Sequence, residues 1–322
     1  MRKKFGRKED IRFITGRGEY LDDIKLEGML HMAILRSPYS HARILGIDPS
    51  EAQALNGVTE VFIASDLDEL CRPLKVTSEV PELQAPPVWP LARNRVRFVG
   101  DPVAAVVGEN PYTVADALEL VDVNYEPLTP VMDPEKALDR GAPSLYKGGN
   151  KAFRYRTSGG DVEKAFREAA VVVEERFVNQ RMAPAPLESR GVVASWSPEG
   201  FLSLWSSTQI PHGVRRILAE HLDMNKDRIR VVAPDVGGGF GQKLNSYREE
   251  ILVAAVSKLL QRPVKWVEER MENLAAATQG RDQIHYVEVA ASTDGRILGL
   301  RDRIVADVGA YHWRYSSLTN TI

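Results

Sequence analysis

Apolar residues along this chain of 322 residues recur with two different periods. Short β-branched runs closed by glycine, proline or charge predict strands over residues 29–35, 44–47, 58–63, 96–99, 103–107 and 121–125, and later over 170–177, 191–196, 201–206, 228–232 and 264–267. Residues 284–291 and 297–308 alternate well enough for a long hairpin turned at Thr293-Asp294-Gly295-Arg296. Helical spacing appears after Asp48 or Ser50, from Pro111, over 162–168, and from Pro211, where Val214, Ile217, Leu218 and Leu222 make an apolar face. One more helix follows residue 245. Asn245 or Ser246 would cap it, Glu249 and Glu250 would sit in its first turn, and Ile251, Leu252, Ala255, Val256 and Leu259 would form its one apolar face.

Proline and glycine divide these elements. Residues 1–28 are polar and read as an arm over the surface, and residues 71–94 carry five prolines and read as loop. A second proline-rich stretch predicts a linker over 128–160 between an α+β domain at 1–127 and a second domain at 161–322. The strand expected over 304–311 is followed by only eleven residues, which leaves Tyr311, Trp313 and Tyr315 without an obvious partner element. The expectation is a chain that stops inside a domain, as a fragment or one piece of a split subunit.

Composition narrows the function classes. Apolar content of 43%, charged content of 27% and a net charge of −2 are those of an ordinary globular chain, with no bias toward nucleic acid or an anionic membrane. One cysteine, Cys71, rules out an internal disulfide, a cysteine-held iron–sulfur cluster or a cysteine zinc site within this chain. The basic start Met1-Arg2-Lys3-Lys4 has no apolar segment behind it, so a cytoplasmic chain is expected, and no run is long enough to span a membrane. The six histidines show no ligand spacing.

The stretch with most chemical character is Val231-Val232-Ala233-Pro234-Asp235-Val236-Gly237-Gly238-Gly239-Phe240-Gly241-Gln242-Lys243. It reads as strand, glycine turn, then helix. Four glycines in five positions let backbone approach a ligand and adopt positive φ. A dinucleotide fingerprint fails because Gln242 stands where glycine is required, and a P-loop fails because Leu244 follows Lys243. Residue patterning alone leaves a tight packing turn and a ligand site equally open. Lys243 is either part of that site or a solvated residue at the helix start. Upstream, Ser207-Thr208-Gln209 ends a strand just before the Pro211 helix, so Gln209 lies at a helix N-terminus.

Ser207-Thr208-Gln209, the glycine run and Val264-Lys265-Trp266-Val267-Glu268-Glu269-Arg270-Met271-Glu272-Asn273 together resemble the molybdenum-binding large subunit of the xanthine dehydrogenase/aldehyde oxidase/aerobic carbon monoxide dehydrogenase family. Ser37-Pro38-Tyr39-Ser40-His41-Ala42 and residues 98–106 resemble that family's α/β hammerhead domain, covering 12–127. The resemblance implies an α+β fold, with a hammerhead domain followed by the first part of a molybdopterin-binding domain. It implies a molybdenum cofactor, in the cytosine dinucleotide form, held through its pterin with no direct protein ligand to the metal. By the same resemblance Gln209 would donate its amide N–H to an oxygen on the metal. Phe240 and Gly241 would edge the metal and the substrate pocket, and Gly238 and Gly239 would let the loop pass close to the pterin.

The implied activity is hydroxylation of an aldehyde, carbon monoxide or an N-heterocycle with oxygen taken from water. Electrons would leave through a small [2Fe–2S] subunit and a medium FAD subunit in a dimer of heterotrimers. Purine-oxidising members carry glutamate where this chain has Leu244, which disfavours a purine. The family's glutamate base and copper-holding cysteine lie beyond residue 322, and Cys71 lies in the wrong domain to be that cysteine. The competing expectations are a truncated, non-catalytic assembly module and a nucleotide-binding enzyme that uses the glycine turn.

Overall fold

A computed structural model describes residues 6–74, 82–84 and 86–310, so Tyr311, Trp313 and Tyr315 lie outside the described residues. The elements in chain order are α1 (Asp10–Ile14), β1 (Leu30–Arg36), β2 (Ala42–Asp48), α2 (Ser50–Ala54), β3 (Val58–Phe62), β4 (Arg95–Val96), β5 (Pro102–Gly108), α3 (Pro111–Leu118) and β6 (Asp122–Pro127). Then follow α4 (Val162–Glu168), β7 (Val171–Asn179), β8 (Gly191–Trp196), β9 (Leu202–Ser206), α5 (Pro211–His221), β10 (Ile229–Val232), α6 (Arg248–Leu260), β11 (Val264–Val267), α7 (Arg270–Ala276), β12 (Gln283–Ala291) and β13 (Ile297–Ala306). The architecture is α+β.

Seven strands form one sheet in the order β10-β9-β8-β11-β1-β5-β3. It draws strands from both sides of the proline-rich stretch. The joint is a parallel pairing of β1 with β11, Leu30 opposite Val264 and His31 opposite Lys265. β5 is buried along its whole length, as its unbroken apolar run requires of an inner strand. Two further sheets are three-stranded and antiparallel, β4-β2-β6 and β13-β12-β7.

Local sequence explains most boundaries. Asn110 caps α3 by accepting from the N–H groups of Tyr112 and Thr113, at 3.1 and 2.9 Å, with Pro111 at the first helical position. The hairpin β8–β9 turns through residues 197–201, closed by a bond from Ser197 N–H to Phe201 O of 2.9 Å. β4 is only two residues long and ends at Val96, where a strand to 99 was expected. The chain turns there because Gly100, at φ +99°, passes against the backbone of Ala275, where a Cβ would sit 2.9 Å from the carbonyl carbon.

Helix α6 is buried on all sides rather than on one face. Residues 251–256 have no exposure, and the helix is wedged between the large sheet and α5, while Leu259 at its far end is exposed. Its cap also differs from expectation. Glu250 accepts the N–H of Tyr247 at 2.7 Å, so the helix starts at Arg248 and Asn245 instead donates to Thr278 Oγ1. The polar arm is anchored too: Leu21 and Ile24 are buried against Val193, and Arg12 pairs with Asp235 at 2.5 Å. The rest of the arm stays at the surface, as its polar sequence predicts, held there by this apolar knob and the paired guanidinium.

Truncating Leu252 removes methyl groups that are fully buried in the main apolar cluster. Leu252→Ala is expected to cost about 2–5 kcal/mol, read from the urea unfolding midpoint.

Candidate active site at the glycine loop

β9 and β10 are parallel neighbours, with Leu204 opposite Val231 and Trp205 opposite Val232. Their C-terminal ends therefore leave the sheet together, the usual position for a ligand site in parallel strands. The first exit is Ser207-Thr208-Gln209 and the second is the glycine loop. They are laced by backbone: Gln209 N–H donates to Lys243 O at 2.9 Å.

Gln209 and the glycine loop meet directly. Gly241 N–H donates to Gln209 Oε1 at 3.2 Å. Only an oxygen can accept that proton, so the amide's orientation is set and Nε2 is the outward donor, with no hydrogen-bond partner among the described residues. A Cβ on Gly239 would lie 2.5 Å from Gln209 Oε1, so glycine is needed for the approach. Gly238, Phe240 and Gly241 adopt φ of +101°, +50° and +87°. The non-glycine value at Phe240 costs on the order of 1 kcal/mol or more and turns the ring outward, where it is 75% exposed and lies against Gly238. The N–H groups of Gly238, Gly239 and Phe240 have no hydrogen-bond partner among the described residues.

Behind this ledge the charges are buried. Lys243 is 1% exposed, which overturns the solvated alternative: the loop folds back and carries its ammonium inward. Nζ lies 2.8 Å from Glu188 Oε2 and 2.6 Å from Ser207 Oγ. Burial lowers the Lys243 pKa, and the Glu188 carboxylate opposes that shift. Gln242, also buried, accepts from Asn273 Nδ2 at 2.9 Å. Its Nε2 has no hydrogen-bond partner among the described residues.

Beneath lies a network of ion pairs. Arg190 meets Glu268 and, at 3.3 Å, Glu249, while its guanidinium stacks 3.8 Å over the Tyr247 ring. Arg36, from β1, reaches Glu249 at 2.8 Å and Glu272 at 2.6 Å. Burial works to raise the Glu249 pKa, but Arg190 and Arg36 outweigh it and bring it down to about 2. Its neighbour Glu250 lacks such a partner. Burial, then the Glu249 charge, push it up to about 8.

Gln209, Gly238, Gly239, Phe240 and Gly241 thus lie together at one end of the parallel strands: the Gly241 N–H is taken up by Gln209, and the N–H groups of Gly238, Gly239 and Phe240 are left without a partner among the described residues. That donor set suits the oxo and phosphate oxygens of a molybdopterin, and glycines keep the approach free of side chains. Among the described residues, no group of three or more His, Cys, Asp or Glu is placed to hold a metal ion. Patterning missed Glu188, gave Ser207 no role beyond a strand end and left Lys243 open, yet these three tie the two loops together. The one available signal was Leu187-Glu188-Ser189-Arg190, two charges set directly before a strand with buried residues.

Two outcomes test this geometry. Gly239→Ala forces the Gln209 amide off Gly241 and should speed exchange of the Gly241 amide, measured by hydrogen–deuterium exchange. Glu250 keeps its proton in the folded state from its ordinary value of 4.5 up to about 8. Its contribution is whole below that window and is lost as pH rises through it. Glu250→Gln should therefore flatten the fall in denaturation midpoint between pH 5 and about 8.

Residues 145–322 match the molybdopterin cofactor-binding domain, and residues 15–129 match the a/b hammerhead domain of aldehyde oxidase and xanthine dehydrogenase. The chain is 42% identical over 314 residues to the nicotine 6-hydroxylase large subunit of Paenarthrobacter nicotinovorans, covering 96% of this chain and 38% of that protein. It is 41% identical to the carbon monoxide dehydrogenase large chain of Afipia carboxidovorans, covering 95% of this chain and 39% of that one. The crystal structure of quinoline 2-oxidoreductase from Pseudomonas putida 86 superposes with a TM-score of 0.91 at 40% identity, over 95% of this chain and 39% of that chain. The chain thus spans less than half the length of the relatives it matches. With both halves matched, it belongs to the xanthine dehydrogenase, aldehyde oxidase and carbon monoxide dehydrogenase family of molybdopterin-binding large subunits.

Proposed function

We propose that the chain is the large subunit of a molybdenum hydroxylase, or the N-terminal part of one. It oxidises an aldehyde, carbon monoxide or an N-heterocycle with oxygen derived from water and passes the electrons to iron–sulfur and FAD subunits. The observation that carries this reading is the Gln209 amide, locked by the Gly241 N–H so that Nε2 is presented as a neutral donor beside an exposed Phe240. When bound, the molybdenum cofactor supplies an activated water-derived oxygen and accepts two electrons.

The chain's own residues bind and orient. Gln209 Nε2 would hold an oxygen of the cofactor without adding charge or becoming a ligand. The free N–H groups of Gly238, Gly239 and Phe240 would face the pterin side, and the Phe240 ring would border the substrate. Leu244 offers no hydrogen bond to a heterocycle, which favours substrates other than purines. The relatives at about 40% identity are named for carbon monoxide and the nitrogen heterocycles nicotine and quinoline, and those named for xanthine, a purine, match at 34% or less. The cofactor is proposed in its cytosine dinucleotide form. The proposed partners are a small [2Fe–2S] subunit and a medium FAD subunit, in a cytoplasmic dimer of heterotrimers. No helix among the described residues is long and apolar enough to cross a membrane.

Elemental analysis of the complex purified from its native host separates this reading from a non-catalytic assembly module. Stoichiometric molybdenum supports the hydroxylase, and its absence supports the module. In a complex that contains molybdenum, Gln209→Ala should lower kcat by roughly 100-fold, the scale seen when one oriented amide donor is removed.

A further inference from the structure

We propose that Glu188 is a positioning residue for the ledge: one carboxylate oxygen sets the spacing of the two loops that carry Gln209 and Phe240. The proposal deepens the hydroxylase reading and rests on it.

Glu188 Oε2 accepts from three separate places. Ser207 Oγ lies at 2.6 Å, two residues before Gln209. Gly237 N lies at 2.7 Å, at the start of the glycine loop. Lys243 Nζ lies at 2.8 Å, at its end. The backbone adds a fourth tie, Glu188 N–H to Gly237 O at 3.1 Å. A Cβ on Gly237 would lie 2.5 Å from the Glu188 Cβ, so the first glycine of the run makes room for this clamp rather than for a ligand.

The glycine loop is therefore pinned at both ends by the same oxygen. Between the pins sit Gly238, Phe240 and Gly241, all at positive φ, which the two glycines adopt freely and Phe240 keeps only because the loop around it is held. Lys243 passes the constraint on, because its carbonyl accepts the Gln209 N–H at 2.9 Å. Glu188 makes no hydrogen bond to Gln209 or Phe240 and acts only through these intermediaries. The Lys243 side chain is fully buried, so the carboxylate is also the counter-charge that makes an inward ammonium tolerable.

The test compares Glu188→Gln with the wild type in the intact purified complex. The amide keeps the size of the side chain and removes the charge. Hydrogen exchange is measured over residues 237–243 and, as a control, over β12 and β13. Loss of hydrogen bonds to a charged group should speed exchange in the loop by roughly tenfold or more and leave β12 and β13 unchanged. Molybdenum content should stay at the wild-type level, while the electron paramagnetic resonance signal of the reduced metal changes because the Gln209 donor has shifted. Unchanged exchange in the loop, or equal acceleration in β12 and β13, overturns the proposal.

If Glu188→Gln yields no folded complex, Ser207→Ala decides. It spares the Glu188–Lys243 pair and should give the same loop-confined acceleration at smaller size, and no acceleration overturns the clamp. Wild-type protein without molybdenum would defeat the hydroxylase reading and leave the exchange comparison to judge Glu188 by itself.

Discussion

The site depends on charges that cannot reach water and must satisfy one another. Glu249 sits between Arg190 and Arg36, and Glu268 answers Arg190 from the other side. Leaving any one of these unpartnered in the interior would cost several kcal/mol. The network therefore admits one arrangement of the segments that supply it: β1, the start of β8, the first turn of α6 and the end of β11. Glu250 shows the other solution to the same constraint. Without a cation of its own, it gives up its charge, and its pKa rises to about 8.

This network lies directly beneath the ledge. Gln242, inside the glycine loop, shares Asn273 with Glu268. The loop is thus coupled to the ion pairs by a short chain of amides. Gln209 and Phe240 are exposed, three loop N–H groups have no hydrogen-bond partner among the described residues, and the buried Lys243 ammonium is paired with Glu188. A neutral, pre-oriented donor surface over a rigid charged base is suited to a large anionic cofactor, because donors held in place need little reorganisation when it binds.

The large sheet explains how the first half of the chain bears on a site made by the second. β1 enters the sheet beside β11 and carries Arg36 to the network at its end. Asp101, from the turn before β5, pairs with Arg248 at the start of α6 at 2.8 Å. Two carboxylate–guanidinium contacts and one strand pairing thus hold α6 from the far side. The orientation of α6 sets where Glu249 and Glu250 stand beneath the loop.

Much of this was legible in the chain itself. Strand and helix positions followed from period and punctuation, because β-branched runs, Pro111 and Pro211 act through local backbone preference. The glycine run announced a tight turn with close backbone approach, seen here at Gln209 and Glu188, and Gln209 was placed just before the start of a helix. What patterning could not reach was pairing across distance. Nothing local shows that β1 lies beside β11, that Lys243 folds inward, or that Glu188 takes donors from residues 207, 237 and 243. Sequence determined which residues could make turns, caps and donors, because those are short-range properties. Tertiary structure alone decided which charges are buried and with whom, because the cost of desolvation exists only once distant segments have closed over them.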